Sequence, residues 1–206
     1  MPVLIETQYL PLIEFFCITR KADEIKIEVC EHFVKQSYRS HAFINAANGI
    51  EKITVPLTSK GNRTQIRDVK IDDSLNWRNN HWRTFESAYR KSPYFEHYAD
   101  DLNKVLMLQQ TFLIDLNQQL LSACLQWLRW NIKISFTDSY NKTYPHFDLR
   151  NRLLSKQPYS ERNFYRPVAY TQVFGKQFAP NLSIIDLVFC KGPEAGEIIK
   201  ASSLNL

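Results

Sequence analysis

Glycine is scarce in this chain, with five among 206 residues, and nine prolines do little to add breaks. That excludes collagen-like and low-complexity architectures. Net charge is small as well: 26 Lys+Arg against 21 Asp+Glu leave +5, spread along the chain. A nucleic-acid binder would be expected to carry a denser basic surface, so nucleic acid is not the expected partner. No run approaches the roughly 20 continuous apolar residues of a membrane-spanning helix. The stretch Met1 to Glu14 lacks a basic start and a small-residue cleavage site and carries Glu6 and Glu14, which is not the pattern of a secretory signal. A soluble, cytoplasmic protein is expected. What is present is an ordinary apolar share of 44%, with 13% aromatics, enough for a real core. At about 100–200 residues per domain, one domain over 1–206 is the expectation.

Local signatures of familiar chemistry are also missing. Cys17, Cys30, Cys124 and Cys190 are scattered and form no CxxC pair, so free buried thiols are expected. His32, His41, His81, His97 and His146 lack the short helical spacing that sets two metal ligands on one face. Walker, GxGxxG, HExxH and GxSxG patterns are absent. No cofactor class is indicated, and no metal is expected.

The hydrophobic pattern divides the chain. Pro11 can open a short helix over Leu12 to Ile18, and Ile25, Ile27 and Val29 alternate as in a half-buried strand. Asn48-Gly49 between two β-rich runs, His32 to Asn45 and Ile50 to Leu57, predicts a hairpin. Pro56 belongs at a strand end or edge. Ser59 to Thr64 reads as a polar loop, and Val69 and Ile71 as inward residues of another extended run. Asn76 can cap a helix carrying Trp77, Trp82, Phe85, Ala88 and Tyr89 that stops near Pro93. From Asp101 to about Trp130 apolar residues recur at intervals of three and four, which predicts one long helix or two consecutive ones. Ile132 to Phe136 reads as a strand, Lys142 to Arg166 as a long loop, and helices are expected over Leu182 to Phe189 and from near Pro193. Sheet first and helices later favours an α+β or mixed α/β fold, with an N-terminal mixed sheet and hairpin packed against central and C-terminal helices.

Three places could carry chemistry. Read as a strand, Lys35, Ser37, Arg39 and His41 share one face, and two cations with an imidazole suit a phosphate or carboxylate. Tyr38 would shape the pocket from beside them. His81 lies four residues after Trp77, so the two stack on one helix face, and a histidine beside an aromatic suits a general base at a substrate wall. Asn181-Leu182-Ser183-Ile184-Ile185-Asp186 reads as a helix start. Ser183 is its N-cap and Asp186 the acid three residues on, and free N–H groups there could hold an anion. The aromatics interleaved with Arg78, Arg83, Arg90 and Lys91 leave a second class open, a non-catalytic binding or assembly protein with an aromatic-basic surface.

Several motifs fall in a recognisable order. They are Tyr9-Leu10-Pro11, Lys35-Gln36-Ser37-Tyr38-Arg39, Asn48-Gly49 before Ile53 to Pro56, Trp77 with His81-Trp82, Ser87-Ala88-Tyr89 with Ser92-Pro93-Tyr94-Phe95, Tyr170 through Phe174, Pro180-Asn181-Leu182-Ser183 with Asp186-Leu187, and Gly192-Pro193-Glu194. In this order the chain resembles the WbqC-like family over nearly its whole length, most of all the branch found in Bacteroidetes. Other branches open with His-Gln-Pro before Tyr-Leu-Pro, where this chain has Glu6-Thr7-Gln8. The resemblance implies surface-polysaccharide (O-antigen) biosynthesis and, for some members, transfer reactions on nucleotide-activated amino sugars. The expectation is therefore a group transferase with an anionic substrate such as a nucleotide-sugar. Lys35 and Arg39 would bind phosphate, His81 would act as base, and Trp77, Tyr38, Asn181 and Ser183 would line the site, with His41 and Asp186 as further catalytic candidates. The oligomeric state is left open.

Overall fold

The computed structural model describes residues 1–58, 63–145 and 147–204. Most of the Ser59–Thr64 loop, and His146, lie outside the described residues. The fold is mixed α/β. Four strands, β1 (Pro2–Glu6), β2 (Glu24–Glu28), β5 (Lys133–Phe136) and β6 (Phe147–Asp148), form a parallel sheet in the order β5-β2-β1-β6. A separate antiparallel hairpin joins β3 (His41–Ala46) to β4 (Gly49–Thr54).

The sheet begins with a right-sized βαβ unit. Pro11 precedes α1 (Ile13–Thr19), all of whose residues are buried, and the chain returns as β2 beside β1. Register places Val3, Ile25 and Ile134 in one row and Ile5 beside Ile27. These residues are apolar and, apart from Ile134, fully buried. The alternate positions carry Glu24, Lys26, Ser135 and Asp148, all half-exposed, around the buried Leu4, Glu6 and Glu28. One face of the sheet is therefore core and the other is charged, although parallel sheets ordinarily bury both.

In the hairpin the turn is Ala47-Asn48, and only Gly49 takes positive φ, at +109°. The expected Asn48-Gly49 turn is displaced by one residue, because the left-handed position falls where no Cβ is present. The helical middle has α2 (Trp77–Tyr89), α3 (Phe95–Met107) and α4 (Leu113–Trp127). The expected Asp101–Trp130 helical region is thus two helices, and the first starts at Phe95. They part at Leu108, whose ψ of 134° is extended. There the chain runs beside Lys70, with Ile71 N–H on Thr111 O and Leu113 N–H on Val69 O. Arg78 closes the end of α3 by donating to Leu106 O at 2.8 Å. This satisfies a carbonyl that the helix leaves orphaned.

Two strands went unanticipated. Val3-Leu4-Ile5 is a continuous apolar run without alternation, and β6 has two residues, too few for any period. β6 lies inside the expected loop of 142–166, so that segment completes the sheet. The chain ends with α5 (Ile184–Lys191), a 3-10 turn over Gly192–Glu194, and α6 (Ala195–Ser202). Cys17, Cys30, Cys124 and Cys190 are buried and free. Among the described residues no helix is long and apolar enough to cross a membrane.

Candidate functional site

Parallel sheets present their strand carboxyl ends to ligands, at the point where strand order reverses. Here the chain moves from β1 to β2 on one side, and β6 lies on the other side of β1. The strands that flank this point end on ionisable groups, Glu6, Glu28 and Asp148. Glu6 and Glu28 are buried, where an unpartnered charge is costly. Glu28 accepts from Cys30 N–H (2.9 Å), Thr137 Oγ1 (2.7 Å) and Arg150 Nη1 (3.0 Å). Arg150 also forks onto Asp148, with Nη2 to Oδ2 at 2.6 Å, and lies over the Tyr140 ring at 4.9 Å. The hydrogen bonds from Arg150 hold the Asp148 carboxyl below its ordinary range.

Glu6 is different. Its Oε2 accepts from Asn151 N–H at 3.0 Å, while Oε1 is buried with no hydrogen-bond partner. Burial raises its pKa from 4.5 to about 7, against the pull of the Arg39 guanidinium nearby. Arg39 is paired with Glu31, donating from Nε to Oε1 at 2.8 Å with Nη2 2.6 Å from the same oxygen. Burial outweighs that pairing at Glu31 as well, whose pKa is raised. Asn151 sits in the left-handed region at φ 59°, a conformation asparagine tolerates better than most residues. This turns the chain sharply after β6 and presents its N–H to Glu6.

Beyond that turn lies a groove of about 550 Å³, lined by Asp148, Asn151, Arg152, Gln157, Glu161 and Asn163 between Phe147 and Phe164, a size ordinary for small-molecule sites. Arg152 is exposed and has no salt-bridge partner among the described residues. Arg162 fastens the wall of the groove. It donates to Leu154 O (2.8 Å) and Gln157 O (3.0 Å) on its own segment, and through Nη2 to Glu14 Oε2 on α1 at 2.6 Å. Asn181 completes this clasp. Its Nδ2 donates to Glu14 Oε2 at 2.8 Å, and its Oδ1 accepts from Glu14 N–H at 3.0 Å. Even so, burial keeps the Glu14 pKa raised.

The residues expected to carry chemistry fall into separate groups, and none of them lines this groove. Residues 35 to 40 form turns rather than a strand, with Gln36 at φ 54°, so Lys35, Ser37, Arg39 and His41 do not share a face. The alternation there was a coincidence of turn residues. Lys35 is exposed. Its neighbour Gln36 takes the Ser155 hydroxyl on its carbonyl, which ties this turn to the groove segment. Tyr38 stands against Arg162 and Glu14, and so shares the clasp with Asn181. His41 opens β3 against the rings of Tyr38 and Phe43. Its Nε2 is buried without a partner, and burial lowers its pKa to about 4.

His81 is buried on α2. Tyr9 O–H bonds its Nδ1 at 2.9 Å, the Thr54 backbone is the other partner, and burial lowers its pKa to about 4. The Trp77 ring is 5.0 Å away, as the i, i+4 spacing predicts. Ser183 precedes α5, but its hydroxyl makes no cap bond and is buried without a partner. Asp186 turns instead to Tyr170 O–H (2.7 Å) and Gln172 Nε2 (2.8 Å). The capping box is therefore not formed. The aromatic surface of the second reading is not free either. Trp77 and Tyr89 are buried, and Trp82 stacks on Phe95. Among the described residues no three His, Cys, Asp or Glu side chains are grouped to hold a metal ion.

Sequence reasoning missed Glu6, Glu28, Asp148, Arg150 and Arg152. The available signal was the unusual length of the 142–166 segment, rich in Asn, Arg and Tyr, since such loops are uncommon unless functional. Comparison with known proteins gives two findings. A family model described as the WbqC-like protein family matches residues 7–157 and 152–198. The chain is also similar to Uncharacterized protein Rv1507c of Mycobacterium tuberculosis (strain ATCC 25618 / H37Rv), at 26% identity over 226 residues, covering 96% of each chain. No solved structure matches.

Proposed function

We propose that this chain, which belongs to the WbqC-like protein family, is a group transferase that binds a nucleotide-activated sugar in the groove beside β6, within surface-polysaccharide biosynthesis. What carries this reading is the groove itself. It is polar, of ligand size, and placed outside the carboxyl end of the parallel sheet, with Arg152 exposed and making no salt bridge among the described residues. A guanidinium in that state can take a phosphate oxygen pair through its fork. Lys35, exposed on the turn that Ser155 binds, adds a second cation at the edge of the same segment.

Roles differ from those expected of these residues as a strand face. Arg39 pairs with Glu31 and acts on Glu6 only through its charge, rather than binding phosphate. Tyr38 and Asn181 hold the Glu14–Arg162 clasp and so keep the groove wall in place. Glu6 is one hydrogen bond behind the floor at Asn151, and a carboxyl of pKa about 7 changes charge at neutral pH, the range suited to proton exchange. His81, His41 and Asp186 face inward onto the partners already named, and in this reading they hold the fold.

Titration of UDP- and dTDP-sugars against the wild type and Arg152→Ala tests this. Loss of a charged hydrogen-bond partner should weaken binding by roughly tenfold or more. Equal or negligible binding by both proteins removes the proposal.

A further inference from the structure

The charged face of the parallel sheet has a hollow of its own. It holds about 100 Å³ and lies over β2 and the chain that leaves β5, separated from the larger groove by the Asp148–Arg150 pair. Lys26 and Arg150 line it, and so do Glu28 and Asp138, so the charges cancel. The rest of its polar lining is hydroxyl and amide: Thr137, Ser139, Asn141 and Tyr144, with Asn141 Nδ2 donating to Ser139 Oγ at 3.5 Å. Arg150 and Glu28 are saturated by each other and by Asp148, Thr137 and Cys30, which fixes the floor. Lys26 makes no salt bridge among the described residues and faces the hollow from the middle of β2. Outside the lining, Tyr140 covers the Arg150 guanidinium with one ring face.

In this hollow the Arg150 fork is already taken by Glu28 and Asp148, and Asp138 offsets Lys26, so no guanidinium is left for an anion. Donors and acceptors side by side around a space of about three or four water volumes instead match a group that both donates and accepts, repeated on adjacent atoms. Adjacent hydroxyls of a sugar ring have that character.

We infer that this hollow is a saccharide subsite that takes neighbouring hydroxyls of a neutral sugar through Lys26, Asn141 and Ser139. The inference deepens the transferase reading by giving the sugar a seat distinct from the phosphate seat at Arg152.

The test uses the full chain and two kinds of probe, followed by amide and side-chain NMR: neutral methyl glycosides of glucose, galactose, mannose and N-acetylglucosamine, and UDP without a sugar. At least one glycoside should shift the signals of Lys26, Ser139 and the Asn141 side chain, with affinity in the millimolar range. Asn141→Ala and Lys26→Met should each weaken it by roughly fivefold to tenfold and leave UDP binding unchanged. Both variants replace half-exposed or exposed side chains, so folding is not at stake. If no glycoside moves these signals, or if the glycosides bind equally well to both variants, the subsite is wrong, whatever UDP does. If UDP binds independently of Arg152 while the glycosides behave as stated, the subsite stands and the phosphate seat fails.

Discussion

Replacing Glu6 by glutamine isolates one electrostatic consequence of the site. The wild-type carboxyl has a pKa of about 7 when folded, against 4.5 ordinarily, because burial disfavours its charge more than Arg39 favours it. Between those two values the folded chain holds a proton that the unfolded chain has released. The group's stabilising share is therefore fully present below about pH 4.5 and is lost as pH rises through about 7. A displacement of about 2.5 pH units corresponds to about 3 kcal/mol at 1.36 kcal/mol per unit. Glu6→Gln cannot titrate, keeps an oxygen for Asn151 N–H, and places an amide where Oε1 has no partner. Any cost of that amide is independent of pH. Urea unfolding of both proteins at intervals from pH 5 to pH 9 should show the variant gaining on the wild type by up to about 3 kcal/mol across the series. A difference between the two proteins that is constant over this range would refute the buried-carboxylate reasoning.

The two buried histidines act in the opposite sense. His81 and His41 fall from 6.5 to about 4 on burial, so stability is lost as pH drops below about 6.5 and levels off near 4. His81→Gln should remove about 3 kcal/mol of that acid limb in denaturant titrations, and His41→Gln, where Lys52 adds to the effect of burial, a similar part. Arg162→Ala leaves Glu14 buried and unpaired. It should cost about 3–5 kcal/mol, and Glu14→Gln in the same chain should recover much of it, as a double-mutant cycle by calorimetry will report. Gly192 sits at φ 51°, and a Cβ there would overlap the Tyr94 ring. Gly192→Ala should therefore lower the melting temperature by several degrees, consistent with roughly 2 kcal/mol of strain.

How far the sequence reveals this molecule depends on how long each feature is. The alternation of Ile25, Ile27 and Val29, the stripe of α4 and the Gly192-Pro193 break are sustained patterns, and the structure has β2, α4 and the α5–α6 junction there. β6 offers two residues, and its place in the sheet comes from Val3 and Leu4 pairing with Phe147 and Asp148, a contact across more than 140 positions that no local pattern records. The same holds for the site. The i, i+4 spacing of Trp77 and His81 could be read because helix geometry is local. The Glu14–Arg162–Asn181 clasp and the meeting of Glu6 with Asn151 could not, because each joins distant segments through burial. The turn at 35–40 misled because Lys, Ser, Arg and His at every second position mimic a strand, whereas Gln36 at positive φ and the Ser40 N–H bond to Ser37 O fold the segment into turns.

A crystal structure with UDP bound tests the central claim most directly. The account predicts the diphosphate against the Arg152 guanidinium, in the groove between Phe147 and Phe164. Density for UDP at any other place on the chain, with that groove holding only solvent, would contradict it.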